Sequence, residues 1–142
     1  MLKNLVLGGC PLKGLAYIGV IKYLEELDLI KDIVNVCGVS SGSIFALALC
    51  LGFTSYELEQ ISMRLSIDDL KSQENKNVFK LFENYGFDDG SQFLKLFKII
   101  LEKKTGNPEC TFKELKESCN GKNLMVVGTN LTLCTSEVFS EK

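Results

Sequence analysis

The sequence predicts an α/β domain of three layers, α/β/α, around a mainly parallel sheet. Three observations carry this. Short apolar runs alternate with longer segments of helical spacing, the order a parallel sheet requires. The first two apolar runs each end in a glycine turn that leads into a helix. And 142 residues, 46% apolar and 24% charged, are enough for one core, so residues 1–142 are read as a single domain.

Asn4–Leu7, closed by Gly8-Gly9, has the length and content of a buried strand. Lys13–Leu27 places Leu15, Ile18, Ile21, Leu24 and Leu27 at helical spacing, with Glu25 and Glu26 on the wet side. Gly14 and Gly19 within it point to close approach by a neighbour. Ile33–Val39 is a second buried strand, and Ser43–Leu51 an apolar helix stopped at Gly52. Thr54 with Glu57 is a capping box opening a helix to about Leu65. Ile67–Asn77 is polar and reads as a surface loop. Val78–Tyr85 and Ser91–Lys104 read as amphipathic helices split by Gly86–Gly90. Thr105–Cys110 is a loop. Thr111 with Glu114 is a second capping box, for a helix to about Cys119. Asn123–Leu131 and Glu137–Ser140 read as strands joined near Thr135-Ser136. A hairpin at the end of the chain leaves an open sheet edge. The expectation is that the natural protein continues beyond Lys142.

Composition excludes several chemistries. There is no histidine, so no Ser-His-Asp triad, Cys-His dyad or His-ligated metal can be built from these residues. The net charge is −2 and Arg64 is the only arginine, which argues against nucleic acid as a partner. The six cysteines form no CxxC pair, and several lie in apolar runs. They read as packed thiols of a reducing compartment. No metal or cofactor is expected. Met1–Gly9 lacks the form of a signal peptide, and Ile44–Phe53 is too short to span a bilayer. A cytoplasmic location follows as the expectation.

Gly38-Val39-Ser40-Ser41-Gly42 fits G-x-S-x-G between a buried strand and an apolar helix. That is the setting of a nucleophile elbow, in which a sharp turn pushes Ser40 into an open site. Gly38 and Gly42 leave room for the bend, and the helix start behind Ser40 supplies N–H groups for a developing oxyanion. The alternative is that these small residues serve a tight turn and nothing more. A second turn, Gly8-Gly9-Cys10-Pro11-Leu12-Lys13-Gly14, belongs at the same strand ends in a parallel sheet. It is not a Walker A loop, since no Ser or Thr follows Lys13-Gly14. Nor is it a dinucleotide fingerprint, since Pro11 takes the middle glycine position.

Together, LVLGGCPLKGLAYIGVIKYLEE and VCGVSSGSIFALALCLG resemble the opening of a patatin-like phospholipase. GFDDGSQFLKLFKIILEKKTGNPECTFKEL and NLMVVGTNLT resemble the middle of that family's domain, so the likeness covers nearly all of the chain. The resemblance implies a Ser-Asp dyad with Ser40 as nucleophile, and a phospholipid or other acyl-lipid substrate met at a membrane periphery. Gly9, Cys10 and Pro11 fall where the family has three oxyanion-hole glycines, after Gly8. Lys13 matches its basic position and Gly14 its closing glycine. Pro11 has no N–H to donate, while Cys10 keeps its own. The family's catalytic Asp lies in a D-G-[GA] motif. Asp89-Gly90-Ser91 opens a helix instead, so the partner of Ser40 is expected beyond Lys142. These 142 residues alone are then expected to be inactive. The runner-up is a catalytically impaired relative that binds lipid or protein.

Overall fold

A computed structural model describes residues 2–10, 12–64, 89–118 and 120–141. Four strands form one sheet in the order β1 (Asn4–Leu7), β2 (Asn35–Val39), β3 (Asn123–Asn130) and β4 (Thr135–Phe139). The first three run parallel, and β4 returns antiparallel along β3. The α/β class and the mainly parallel sheet are those expected. The described helices are α1 (Ala16–Glu26), α2 (Ser41–Cys50), α3 (Ser55–Arg64), α4 (Ser91–Thr105) and α5 (Phe112–Ser118).

Register is fixed from both faces. Asn4, Asn35 and Asn123 stand opposite one another, and their side chains form a ladder: Asn35 Nδ2 donates to Asn4 Oδ1 at 2.7 Å, and Asn123 Nδ2 to Asn35 Oδ1 at 2.8 Å. One residue on, Leu5, Val36 and Leu124 turn to the other face, where Val36 is fully buried. Helix α2 crosses β1, β2 and β3 on that face. It is apolar nearly all round, and Ala46, Ala48, Leu49 and Cys50 are buried. Helix α1 contributes Ile21 to the same core, and its Tyr17 ring meets Phe45 of α2 edge-on at 5.5 Å. On the opposite face, Val6 and Val138 are exposed.

Both capping boxes are present. Thr54 N–H donates to Glu57 Oε2 at 2.9 Å, and Glu57 N–H to Thr54 Oγ1 at 3.2 Å. The Thr54 N–H, and after it the Lys104 ammonium, hold the Glu57 carboxyl below the usual carboxylate range. Thr111 and Glu114 repeat the exchange at 2.8 and 3.3 Å. Glu25 ties α1 to α3, accepting from Ser55 N–H at 2.9 Å and from the Ser55 hydroxyl. Lys122 is buried. Its ammonium donates to the carbonyls of Ile30 and Ile33 at 2.8 and 2.7 Å, and burial pushes its pKa down.

Several boundaries differ from the sequence reading. The first helix begins as a 3-10 turn over Leu12–Leu15 and becomes α-helical at Ala16. Helix α2 starts two residues early, directly after Ser40. Ile30–Asp32 form a 3-10 turn, which delays β2 to Asn35. The hairpin turns at 131–134, not at Thr135-Ser136. The physical reason is Asn130, whose Oδ1 accepts from Leu133 N–H at 3.0 Å, while Cys134 takes a φ of +51° without the glycine that would have marked it. Gly14 does have a close neighbour, since a Cβ there would stand 3.4 Å from Ser41 Oγ. Among the described residues, Gly19 has none within 4 Å. The expected helix Val78–Tyr85, the loop Ile67–Asn77 and the helix ends at Leu65 and Cys119 lie outside the described residues.

Gly19 and Gly42 should therefore respond oppositely to alanine. A Cβ on Gly42 would sit 2.1 Å from Leu7 O and 2.6 Å from Gly8 O, and both obstacles are backbone. Gly42→Ala is expected to cost about 3 kcal/mol or more in urea unfolding. Gly19→Ala, on an open helical surface, should add about 0.5–1 kcal/mol. Equal effects would contradict the packing described.

Candidate active site

Strand β2 ends at Val39 and α2 begins at Ser41, so Ser40 makes the whole turn. Its φ of +53° and ψ of −128° are torsions that L residues seldom adopt. Holding them costs on the order of 1–3 kcal/mol, which surrounding contacts must supply. Gly38 and Gly42 make those contacts possible. A Cβ on Gly38 would lie 2.4 Å from Ser43 Cα, and Gly42 lets α2 begin directly against the end of β1. Ser43 N–H closes the turn onto Ser40 O at 2.9 Å. The Ser40 side chain is exposed.

Parallel pairing of β1 and β2 brings the glycine turn beside this elbow. A Cβ on Gly9 would stand 3.2 Å from Ser40 Cβ and 3.8 Å from its Oγ, so the loop approaches the serine closely because Gly9 has no side chain. Gly8 O accepts from the Tyr17 hydroxyl at 3.0 Å. Cys10 O accepts from Gly14 N–H at 3.0 Å. Lys13 is exposed on the 3-10 turn and Gly14 is buried against α2. Pro11 lies outside the described residues.

Ser41 does something its place in the motif does not reveal. Its Oγ accepts from Cys10 N–H at 2.9 Å and donates to Cys10 O at 2.8 Å. One hydroxyl thus clamps the loop to the start of α2. It also changes the reading of Cys10. The sequence leaves the Cys10 N–H available to an oxyanion, whereas here that N–H is engaged by Ser41.

A groove of about 660 Å³ opens at Ser40 and runs between α2, α4, α5 and β3. Ile44, Leu47, Phe97, Leu101, Phe112 and Val126 are among its walls. None of these was singled out from the sequence. The usable signal was there, since α2 carries more apolar surface than a single buried face needs. Ser43 also lines the groove, and its Oγ is buried with no hydrogen-bond partner among the described residues.

No aspartate among the described residues is brought to Ser40 by a contact. Asp28 pairs with Lys31, in the turn after α1 at the far strand ends. Asp32 lies in the 3-10 turn before β2. Asp89 Oδ1 accepts from Ser91 N–H at 2.8 Å at the start of α4. Asp68, Asp69 and Asp88 fall outside the described residues. No disulfide joins the described cysteines, and no described group of His, Cys, Asp or Glu could hold a metal. No described helix is long and apolar enough to cross a membrane.

The strand–elbow–helix unit and its glycine loop define an α/β fold carrying a G-x-S-x-G serine. A family model for patatin-like phospholipases matches residues 5–130, and the chain belongs to that family. It is 30% identical over 142 residues to protein R571 of Acanthamoeba polyphaga mimivirus, covering 99% of this chain and 46% of that one. It is 29% identical over 144 residues to the probable lipid hydrolase 463L of Invertebrate iridescent virus 6, covering 97% and 47%. The chain therefore spans a little under half the length of these relatives. Among solved structures, VipD from Legionella pneumophila matches with a TM-score of 0.67 at 23% identity, over 98% of this chain and 39% of that one. The type III effector ExoU matches with a TM-score of 0.61 at 20% identity, over 98% and 36%. These two establish the fold.

The Ser41 clamp has a direct consequence. Ser41→Ala removes both hydrogen bonds to Cys10 and should destabilise the domain by about 1–2 kcal/mol. Hydrogen exchange at the Cys10 amide should quicken selectively. Unchanged exchange there would mean that Ser41 does not hold the loop.

Proposed function

We propose that this chain carries the nucleophile of a serine-dependent lipid acyl hydrolase acting on ester bonds of phospholipids or lysophospholipids. One observation carries the reading: a strained serine at a strand-to-helix turn faces a glycine loop on one side and an apolar groove on the other. Ser40 Oγ attacks the ester carbonyl, and a base takes its proton. The carbonyl oxygen becomes an oxyanion at the start of α2. The tetrahedral adduct expels the alcohol, which takes up the proton, and leaves an acyl-serine. Water then releases the fatty acid and restores Ser40. The groove suits an acyl chain because its walls are hydrocarbon.

The base in this proposal is an Asp outside residues 1–142, forming a Ser-Asp dyad. The pairing of Asp28 with Lys31 and the helix-end position of Asp89 support that choice. Gly8, Gly9, Cys10 and Gly14 form the oxyanion loop, with Lys13 at its rim and Pro11 unable to donate. Gly38, Ser41 and Gly42 build the elbow. For Cys10 to donate to an oxyanion, its N–H must leave Ser41 Oγ. No cofactor or metal takes part, and nucleic acid is not a partner.

That same engagement of Cys10 favours a second reading, a catalytically impaired relative that binds lipid or protein. A fluorophosphonate probe separates the two. The full-length protein should be labelled at Ser40, and Ser40→Ala should lower its ester hydrolysis at least about 10³-fold. No labelling would favour the binding module. Residues 1–142 alone should give only background hydrolysis. Ser40-dependent turnover by them would place the base within these residues.

A further inference from the structure

The hairpin between β3 and β4 projects from the same edge of the sheet as the elbow. Val39, the residue before Ser40, is paired with Val127, and β3 continues through Gly128, Thr129 and Asn130 before it turns. At about 3.3 Å per residue, the tip stands roughly 10 Å beyond the elbow, and one strand spacing, about 4.8 Å, to its side. At that tip Leu131 is 85% exposed and Leu133 65% exposed.

Two features make these leucines more than stray surface residues. Asn130–Ser136 carries no charge. The turn is also locked with both leucines outward: Asn130 Oδ1 accepts from Leu133 N–H at 3.0 Å, and Asn130 Nδ2 donates to Glu137 Oε1 at 2.6 Å. Both contacts hold Asn130 at the start of the turn, and both leucines stand exposed beyond it. Lys13, the exposed cation of the glycine turn, belongs to the same sheet edge.

We propose that the β3–β4 hairpin tip is a lipid-surface contact: Leu131 and Leu133 enter the acyl boundary of a phospholipid bilayer and bring the Ser40 groove to its surface. The bilayer is chosen over a protein partner because the reading of Ser40 as a lipid hydrolase, on which this rests, requires the elbow edge to face lipid. An uncharged apolar tip, at the same strand ends as an exposed cation that can meet headgroup phosphate, fits that surface.

The test uses the full-length protein with vesicles of pure phosphatidylcholine. Wild type should co-sediment with them, and the double variant Leu131→Ser, Leu133→Ser should lose at least about tenfold in partition. Its thermal midpoint and its hydrolysis of a short water-soluble ester should be unchanged. A second variant needs no loss of binding: the emission that Leu131→Trp adds over wild type should shift blue on addition of vesicles. Failure of wild type to bind, equal partition of the double variant, or an unshifted emission from the introduced tryptophan overturns the proposal. So does a change in oligomeric state of the double variant without lipid, which would make the tip a protein interface. If vesicle binding follows the leucines but no probe labels Ser40, the docking surface stands and the hydrolase reading falls.

Discussion

A serine held at positive φ, with backbone pressed in on both sides, is the constraint around which this domain is arranged. The turn at Ser40 exists because α2 starts one residue after β2 ends. That requires Gly38 to lie against Ser43 and Gly42 to lie against the carbonyls of Leu7 and Gly8. The second contact reaches β1, so the torsions of Ser40 and the pairing of the first two strands are aspects of one packing arrangement. The strain at Ser40 is small beside what α2 buries: Ala46, Ala48, Leu49 and Cys50 are all in the core. The helix pins the elbow, and the elbow exposes the serine.

The glycine loop is the second half of the arrangement, and Ser41 joins the halves. Its hydroxyl makes two hydrogen bonds to one residue of the loop, so the position of the loop and the start of α2 are coupled. A loop with three glycines has no Cβ to place and is free to adjust. With Cys10 in place of a glycine this loop has less freedom, and the clamp ties Cys10 to the start of α2. The loop beside Ser40 is thus held by a hydroxyl one residue away.

Much of this was legible in the sequence because it rests on local rules. Thr54 with Glu57 and Thr111 with Glu114 announced their helices, since a capping box is a four-residue pattern. The elbow was legible because only glycine fits beside the serine. What was missed depends on contacts distant in sequence or on residues acting out of type. The Cys10–Ser41 clamp joins positions 31 apart. Gly19 looked like a packing glycine but has no close neighbour among the described residues; a helix tolerates glycine on an exposed face at modest cost. The hairpin turn was displaced because Asn130 and Cys134 did work usually marked by glycine. The groove went unread because its walls come from four separate elements.

The central claim is that the Ser40 turn is strained and held by its surroundings. Replacing Ser40 with glycine tests it through stability. Glycine adopts φ +53°, ψ −128° without penalty, so the strain is released even though the unfolded chain gains freedom. Ser40→Gly should therefore raise the free energy of urea unfolding by about 1 kcal/mol. A loss of about 0.5–1 kcal/mol, the ordinary cost of introducing glycine, would mean that the serine is relaxed and that no strained elbow exists.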